Sequence, residues 1–226
     1  MPAVPALADV DAAVARVHEL RARRRAAGRG DRVVVALVGE PGSGKSTVSA
    51  AVAAGLAATG LRTVVVPMDG FHLAGSALAR LGRTDRKGAL DTFDAAGYVA
   101  LLRRLVDPAA TTSGADPVWA PEYVRDGVEE SLAGAIEVGP EVDCVVTEGL
   151  WLLVDEGPWR AVRDLVDETW AVRLDDDERR RRLVLRHVAA GKGQEAAETW
   201  VQGPDEAAAR LVRPTLVRAD RELPGP

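Results

Sequence analysis

A continuous apolar segment followed by a glycine-rich loop restricts the fold of this chain more than any other feature. Residues 33–38 (VVVALV) have the length of a strand and show no polar alternation, which predicts a strand buried on both faces of a parallel sheet. Residues 39–47 (GEPGSGKST) follow at once, and residues 46–59 form an alanine-rich helical pattern. A buried strand, a glycine-rich loop and a helix in this order indicate a phosphate-binding P-loop.

The loop matches the pattern G-x-x-x-x-G-K-[ST], in which glycines let main-chain N–H groups approach phosphate oxygens closely. We expect the Lys45 ammonium to reach the β- and γ-phosphates of ATP, and the Ser46 hydroxyl to bind Mg²⁺. Lysine is scarce in this chain, with three lysines against 26 arginines, so a chance match to the pattern is rare. The residues expected to bind the nucleotide are Gly39, Pro41, Gly42, Ser43, Gly44, Lys45, Ser46 and Thr47.

Further apolar segments alternate with helical patterns along the chain. Strands are predicted at residues 62–67, 142–147 and 169–174, and residues 118–138 are compatible with short strands joined by a turn. Helices are predicted at residues 6–28, 94–107, 175–190, 195–201 and 205–220. This alternation predicts an α/β three-layer sandwich around a central, mostly parallel sheet, and together with the P-loop it indicates the P-loop NTPase fold. Ligands of such sheets bind at the carboxyl ends of the strands.

Length and composition define the expected organisation. The 226 residues suit one domain, residues 1–226, with an N-terminal helix at about 6–28 and a lid or acceptor-binding insertion at about 70–138. A net charge of −5 argues against nucleic-acid binding, and the single cysteine, Cys144, excludes an internal disulfide. Without a long apolar segment or a signal-peptide pattern, we expect a cytoplasmic protein with no membrane partner. A homodimer is compatible with the sequence.

Two carboxylates follow predicted strands and are therefore expected at the same sheet edge as the P-loop. Asp69, in the segment DGFH at residues 69–72, could accept the proton of an attacking hydroxyl as a general base. Glu148 ends an apolar strand in the manner of a Walker B motif and could bind Mg²⁺ or orient the hydroxyl. A turn-forming role for Asp69 and a solvent-facing role for Glu148 are the structural alternatives.

The helix predicted at residues 175–190 begins with acidic residues and continues with four arginines. Acidic residues at its start suit the helix dipole, so the pattern is also compatible with an ordinary solvated helix. At most two of the arginines can face one ligand. Arg182 and Arg186 are the candidates for closing over the transferred phosphoryl group, with Arg179 as a third possibility.

With these segments in place, the chain resembles the uridine kinase and phosphoribulokinase-like branch of P-loop kinases, which includes bacterial pantothenate kinases. It looks closest to bacterial nucleoside/nucleotide kinase family proteins. The similarity spans residues of about 30 to 220. It is carried by residues 39–47, 68–73 (MDGFHL), 86–88 (RKG), 91–94 (DTFD), 120–123 (APEY), 133–136 (AGAI), 147–149 (TEG) and 151–153 (WLL).

The resemblance implies ATP-dependent transfer of the γ-phosphoryl group to a hydroxyl of a small molecule. It implies that Asp69 is the base. Together with Lys45 and Glu148, which their own motifs indicate, Asp69 makes up the expected catalytic group. Acceptor contacts would come from His72, Lys87, Tyr123 and Arg125. The chain departs from the family pattern at two places. Residues 205–207 are Asp-Glu-Ala where related chains often have Asp-Asn-Ala, which concerns nucleotide binding. Residues 123–125 are Tyr-Val-Arg where Phe-Asp-Arg is common, which concerns the choice of acceptor. The nucleotide base and the acceptor therefore stay open.

Other P-loop functions make different demands on the sequence. A GTPase needs the guanine-reading pattern Asn-Lys-x-Asp, which the chain lacks because its three lysines are followed by Ser46, Gly88 and Gly193. An ATPase switch remains an alternative to a kinase. A nucleoside monophosphate kinase is a second alternative, with Arg83, Arg86 and Arg125 as candidates for binding the acceptor phosphate.

Overall fold

A five-stranded parallel sheet forms the centre of the computed structural model, which describes residues 7–125 and 130–226. Its strands stand in the order β2-β5-β1-β6-β7, and a separate antiparallel pair is formed by β3 and β4. The strands are β1 Val33–Val38, β2 Thr63–Pro67, β3 Val118–Val124, β4 Glu130–Val138, β5 Cys144–Gly149, β6 Glu168–Arg173 and β7 Arg221–Pro224.

The helices lie mainly in the connections between parallel strands, as expected where each crossover must return the chain to the same sheet edge. Short 3₁₀ segments add to them, including Met68–Phe71 directly after β2. The α-helices are α1 Leu7–Ala26, α2 Lys45–Ala58, α3 Gly75–Leu81, α4 Ala95–Val106, α5 Val162–Leu165, α6 Asp176–Ala189, α7 Gln194–Trp200 and α8 Glu206–Val212.

The central strand β1 sends alternate side chains into two apolar cores. Val34, Ala36 and Val38 enter a core shared with α4 and α8, which also contains Trp151 and Trp159. The other residues of β1, Val33, Val35 and Leu37, enter a second core shared with α1 and α2. All six are fully buried, and helices cover both faces of the sheet. The predicted three-layer α/β sandwich is therefore confirmed.

Most predicted elements are present, with small shifts at their ends. The strands at residues 33–38, 62–67, 142–147 and 169–174 correspond to β1, β2, β5 and β6, and the N-terminal helix is α1. The ambiguous segment at residues 118–138 contains β3 and β4, while residues 126–129 between them, like residues 1–6, lie outside the described part of the chain.

The C-terminal region corrects the sequence prediction. The helix predicted at residues 205–220 ends as an α-helix at Val212 and continues as the 3₁₀ segment Arg213–Arg218, because Pro214 cannot supply the N–H that an α-helix needs. Strand β7 follows, pairs in parallel with β6, and was not predicted.

The sheet register brings the carboxyl ends of three strands together. Val38, the last residue of β1, pairs with Gly149, and Pro67, the last residue of β2, pairs with Glu148. The P-loop, the segment beginning at Met68 and the end of β5 therefore meet at one edge. No helix within the described ranges is both long and apolar enough to cross a membrane.

Candidate active site

The P-loop has the backbone shape that a phosphate cradle requires. Gly42 and Gly44 have φ angles of 78° and 88°, in the left-handed region that favours glycine. A Cβ atom at Gly42 would lie 2.7 Å from Cγ of Leu183 and 2.8 Å from the main-chain oxygen of Arg179. Helix α6 therefore packs directly against the loop, and residue 42 must be glycine for reasons of both conformation and space.

Lys45 is buried at the start of α2, and its Nζ donates a hydrogen bond of 3.1 Å to the main-chain oxygen of Glu40. Burial lowers the pKa of Lys45, whereas the neighbouring carboxylates of Glu148 and Asp69 oppose this shift. The Ser43 hydroxyl is also buried and has no hydrogen-bond partner in the described structure. A buried cation and an unsatisfied buried hydroxyl in one loop fit the binding of nucleotide phosphates.

Ser46 and Glu148 meet across the P-loop and the end of β5. The Ser46 hydroxyl donates a hydrogen bond of 2.7 Å to Oε1 of Glu148. Burial raises the pKa of Glu148, and the negative charge of Asp69 adds to this, while Lys45 and the Ser46 hydroxyl oppose it. Thr147, the residue before Glu148, contacts the Tyr98 hydroxyl at 2.7 Å and donates a hydrogen bond of 2.6 Å to Val66 O, which holds the strand end in place.

The described residues contain no group of three His, Cys, Asp or Glu side chains that could hold a metal by itself. Such a group is not needed for Mg²⁺ in a nucleotide site, because the ion takes most of its ligands from phosphates and water. One hydroxyl and one carboxylate at hydrogen-bonding distance, as in Ser46 and Glu148, fit the protein's share of those ligands.

Asp69 lies in the 3₁₀ turn after β2, where Arg125 of the β3–β4 unit donates a hydrogen bond of 2.5 Å to its Oδ2. Burial would raise the pKa of Asp69, but His72, Arg125 and Lys45 outweigh this and hold it below the ordinary value. The side chain is 27 % exposed, so it is accessible to an acceptor. Gly70 is required beside it, because a Cβ there would lie 2.2 Å from the main-chain oxygen of Pro121.

An aromatic and cationic cluster, which includes the residues predicted to contact the acceptor, lies beside Asp69. The His72 ring lies 4.1 Å from Phe93 and 4.6 Å from Tyr123 between ring centroids. Lys87 Nζ and Arg125 Cζ each lie 5.1 Å from the centre of the Tyr123 ring. His72 Nδ1 lies 2.8 Å from the Asp69 carbonyl, which can only accept, so Nδ1 carries a proton. Burial lowers the pKa of His72.

The arginines of α6 have three different environments. Arg179 is fully buried under the P-loop. Arg182 donates hydrogen bonds to Glu178, at 2.6 Å, and to the main-chain oxygen of Pro226. Arg186 is exposed, and its positive charge is felt at Lys45, whose pKa it helps to lower. Of the arginines proposed to bind nucleotide, Arg186 is thus exposed, while Arg182 is engaged with the C-terminal segment.

The chain's last residues form part of the P-loop surroundings, which the sequence did not indicate. After β7, Gly225 donates a hydrogen bond of 2.5 Å to Arg173 O, and the Pro226 ring lies over Gly44. A Cβ at Gly44 would lie only 2.4 Å from Cδ of Pro226. The segment is short and polar and has no internal periodicity, so no sequence signal pointed to this contact.

The structure thus brings the two predicted halves of the site together. Lys45, Ser46 and Glu148 lie at the P-loop and on β5, and Asp69 lies beside the cluster of His72, Lys87, Tyr123 and Arg125. Glu206, the residue that departs from the Asp-Asn-Ala pattern, pairs with Arg179 and Arg180 of α6.

Comparisons with known proteins agree with this geometry. The Phosphoribulokinase / Uridine kinase family matches residues 34–224. The ATP-dependent kinase-like protein notR' of Aspergillus versicolor is 34% identical over 131 residues, covering 55% of this chain and 73% of that protein. YggC of Escherichia coli (strain K12), an uncharacterised protein, is 31% identical over 181 residues, covering 77% of this chain and 70% of that protein.

A solved structure of a related protein has the same fold as this chain. The crystal structure of a protein from Silicibacter sp. TM1040, provisionally named a fructose transport system kinase, superimposes with a TM-score of 0.77. It is 37% identical and covers 91% of this chain and 98% of its own. The chain therefore belongs to the phosphoribulokinase and uridine kinase family, and it is an ATP-dependent phosphotransferase with an alcohol group as acceptor.

Proposed function

We propose that this kinase transfers the γ-phosphoryl group of ATP to a hydroxyl of a small metabolite, a sugar, a nucleoside or a pantothenate-like compound. The observation that carries the proposal is the position of Asp69. Asp69 follows β2, whose last residue, Pro67, pairs with Glu148 of β5, and the charges of Asp69 and Lys45 each shift the other's pKa. A base within reach of the phosphate loop suits transfer to an alcohol.

On the phosphate side, Lys45 and the P-loop main chain would stabilise negative charge on the β- and γ-phosphates. Ser46 and Glu148 would hold Mg²⁺, which when bound neutralises charge on the phosphate oxygens. Arg186, and Arg182 if it leaves Pro226, would reach the transferred group from α6. The support is the burial of Lys45, the hydrogen bond between Ser46 and Glu148, and the contact of Arg182 with Pro226, whose ring lies over Gly44 of the P-loop.

On the acceptor side, Asp69 would take the proton of the attacking hydroxyl, and its lowered pKa keeps it ionised and ready to accept. Arg125 binds one carboxylate oxygen, Oδ2, and the acceptor hydroxyl would approach the other, Oδ1. His72, Lys87 and Tyr123 would contact the rest of the molecule. We also propose that residues 70–138 form the acceptor-binding insertion of a single kinase domain, because β3, β4 and the segment around His72 all stand beside Asp69.

The acceptor class is open within this group, and a sugar is the first candidate to test. The support is the 37% identity to the Silicibacter protein, which is provisionally named a fructose transport system kinase. A monophosphate acceptor is less well supported, because Arg83 and Arg86 both pair with Asp91, at 3.2 Å and 2.9 Å.

The direct test is a coupled assay for ADP with Mg-ATP and a panel of sugars, nucleosides and vitamin alcohols. The proposal predicts that ADP forms at a substantial rate only when a matching alcohol is present. ATP turnover at the same rate with and without every acceptor would support an ATPase switch instead and would reject the proposal.

A further inference from the structure

Helix α6 contacts the P-loop through a guanidinium that no ligand can reach. Arg179 is 0% exposed. Its Nη1 donates a hydrogen bond of 3.2 Å to the main-chain oxygen of Pro41, its Nη2 donates to Glu206, and its Nε lies 3.3 Å from Asp176 Oδ1. All three nitrogens are therefore used, and one of them holds the P-loop main chain.

A second arginine holds the same part of the loop from outside. Nε and Nη2 of Arg213 donate hydrogen bonds of 2.9 Å and 2.7 Å to Oε1 of Glu40, the second residue of the loop. Nη2 also contacts both carboxylate oxygens of Asp176, at 2.7 Å and 2.9 Å. Asp176 thus joins the two arginines into one network that reaches Glu40 and Pro41.

Stability alone is a poor explanation for this arrangement. Removing a guanidinium from water is costly, and a buried ion pair often contributes no more to folding than apolar side chains of the same volume would. The bond to Pro41 has a different effect: it fixes a peptide unit within the loop that must present its N–H groups to phosphate oxygens.

Arg179 is also placed to orient the rest of α6. Residues 179, 182 and 186 are three and seven positions apart, so they lie along one face of the helix. Arg179 fixes the first turn of that face to the loop. The face continues to Arg182 and Arg186, which therefore keep a constant register to the P-loop.

We propose that Arg179, held in place by Glu206, is a positioning residue for ATP binding: it fixes the P-loop at Pro41 and sets α6 in register with it. The ion pair of Arg213 with Glu40 is a second contact that fixes the same loop. Neither arginine touches the nucleotide in this proposal. The inference rests on the proposed function in one respect, namely that the loop binds ATP.

The test compares Glu206→Gln and Arg179→Gln with Arg181→Gln by titration calorimetry with Mg-ATP. Arg181 is a matched control because it is 62% exposed and, among the described residues, its ion pair is with Glu178 on its own helix. We expect Kd to rise about tenfold in Glu206→Gln and Arg179→Gln, since a loosened loop must be ordered on binding, and to stay within about twofold of wild type in Arg181→Gln.

Calorimetry separates positioning from simple loss of folded protein. A purely structural role would lower the number of binding sites and the Tm but leave Kd of the folded fraction unchanged. If Arg179→Gln does not fold, Glu206→Gln decides, because it keeps the shape of the side chain and removes only its charge. A folded Glu206→Gln protein with the wild-type Kd overturns the inference. Failure of the wild-type chain to bind Mg-ATP would instead reject the proposed function, and this inference with it.

Discussion

Ser46 donates a hydrogen bond of 2.7 Å from its hydroxyl to the carboxylate of Glu148, and this contact joins the P-loop to the end of β5. If the pair holds Mg²⁺, its two members act on one ion, and their effects should overlap. The pair therefore gives a test of the metal site that does not depend on knowing the metal's position.

We predict that Ser46→Ala and Glu148→Gln each raise the Mg²⁺ concentration needed for half-maximal rate by about 10- to 100-fold. The double variant should be affected less than the product of the two single effects. The measurement is the Mg²⁺ dependence of the rate at saturating ATP. Ser113→Ala, at an exposed loop position, is the control. Unchanged Mg²⁺ dependence in both single variants would remove the pair from the metal site.

Gly42 and Gly60 allow backbone strain to be separated from steric clash. Both have positive φ angles, 78° and 86°, but only a Cβ at Gly42 would collide with α6, whereas Gly60 faces open space. Gly60→Ala should lower the free energy of unfolding by about 1–2 kcal/mol and leave ATP binding intact. Gly42→Ala should be destabilised more and should lose ATP binding. Thermal unfolding and a Kd for Mg-ATP check both outcomes, and equal binding by the two variants would contradict this account of the loop.

The Arg125–Asp69 pair should set the acid limit of activity. Asp69 acts when ionised, so kcat/KM falls as the pH drops through its pKa. Arg125 favours the ionised form and helps to hold that pKa below its ordinary value. Arg125→Gln should therefore raise the pKa of Asp69 and move the acid limb of the pH profile to higher pH.

The pH at which the acid limb falls is the informative quantity. Loss of an acceptor contact would lower kcat/KM at every pH but would leave the acid limb at the same pH. Arg83→Gln is a suitable control, since Arg83 pairs with Asp91 and not with Asp69. An acid limb in Arg125→Gln that coincides with that of wild type would mean that Arg125 does not tune the base.

The sequence predicted those parts of the fold that depend on local pattern. A continuous apolar segment predicted β1, and shorter apolar stretches predicted β5 and β6, because strands buried on both faces are rich in apolar residues. Strand β7 has the sequence RELP, in which Leu223 alone is apolar enough to pack, and it forms only because the edge of β6 is there to pair with.

In the site, too, the residues that could be predicted are those marked by local sequence pattern. The P-loop, Asp69 and Glu148 could be located from motifs next to predicted strands. The different environments of the α6 arginines could not, because they depend on partners far along the chain. Glu206 lies 27 residues from Arg179, and Pro226 lies 44 residues from Arg182. A run of four identical side chains carries no information about which of them will be buried.

The central claim is that Asp69 acts as the base in phosphoryl transfer to an alcohol. The most direct measurement follows γ-³²P from labelled ATP into an acid-stable ester of an acceptor found in the panel, with Kd for Mg-ATP measured in parallel. Asp69→Asn should lower the transfer rate by about 10²–10⁴-fold and leave ATP binding largely unchanged. Transfer by Asp69→Asn at the wild-type rate would contradict the claim.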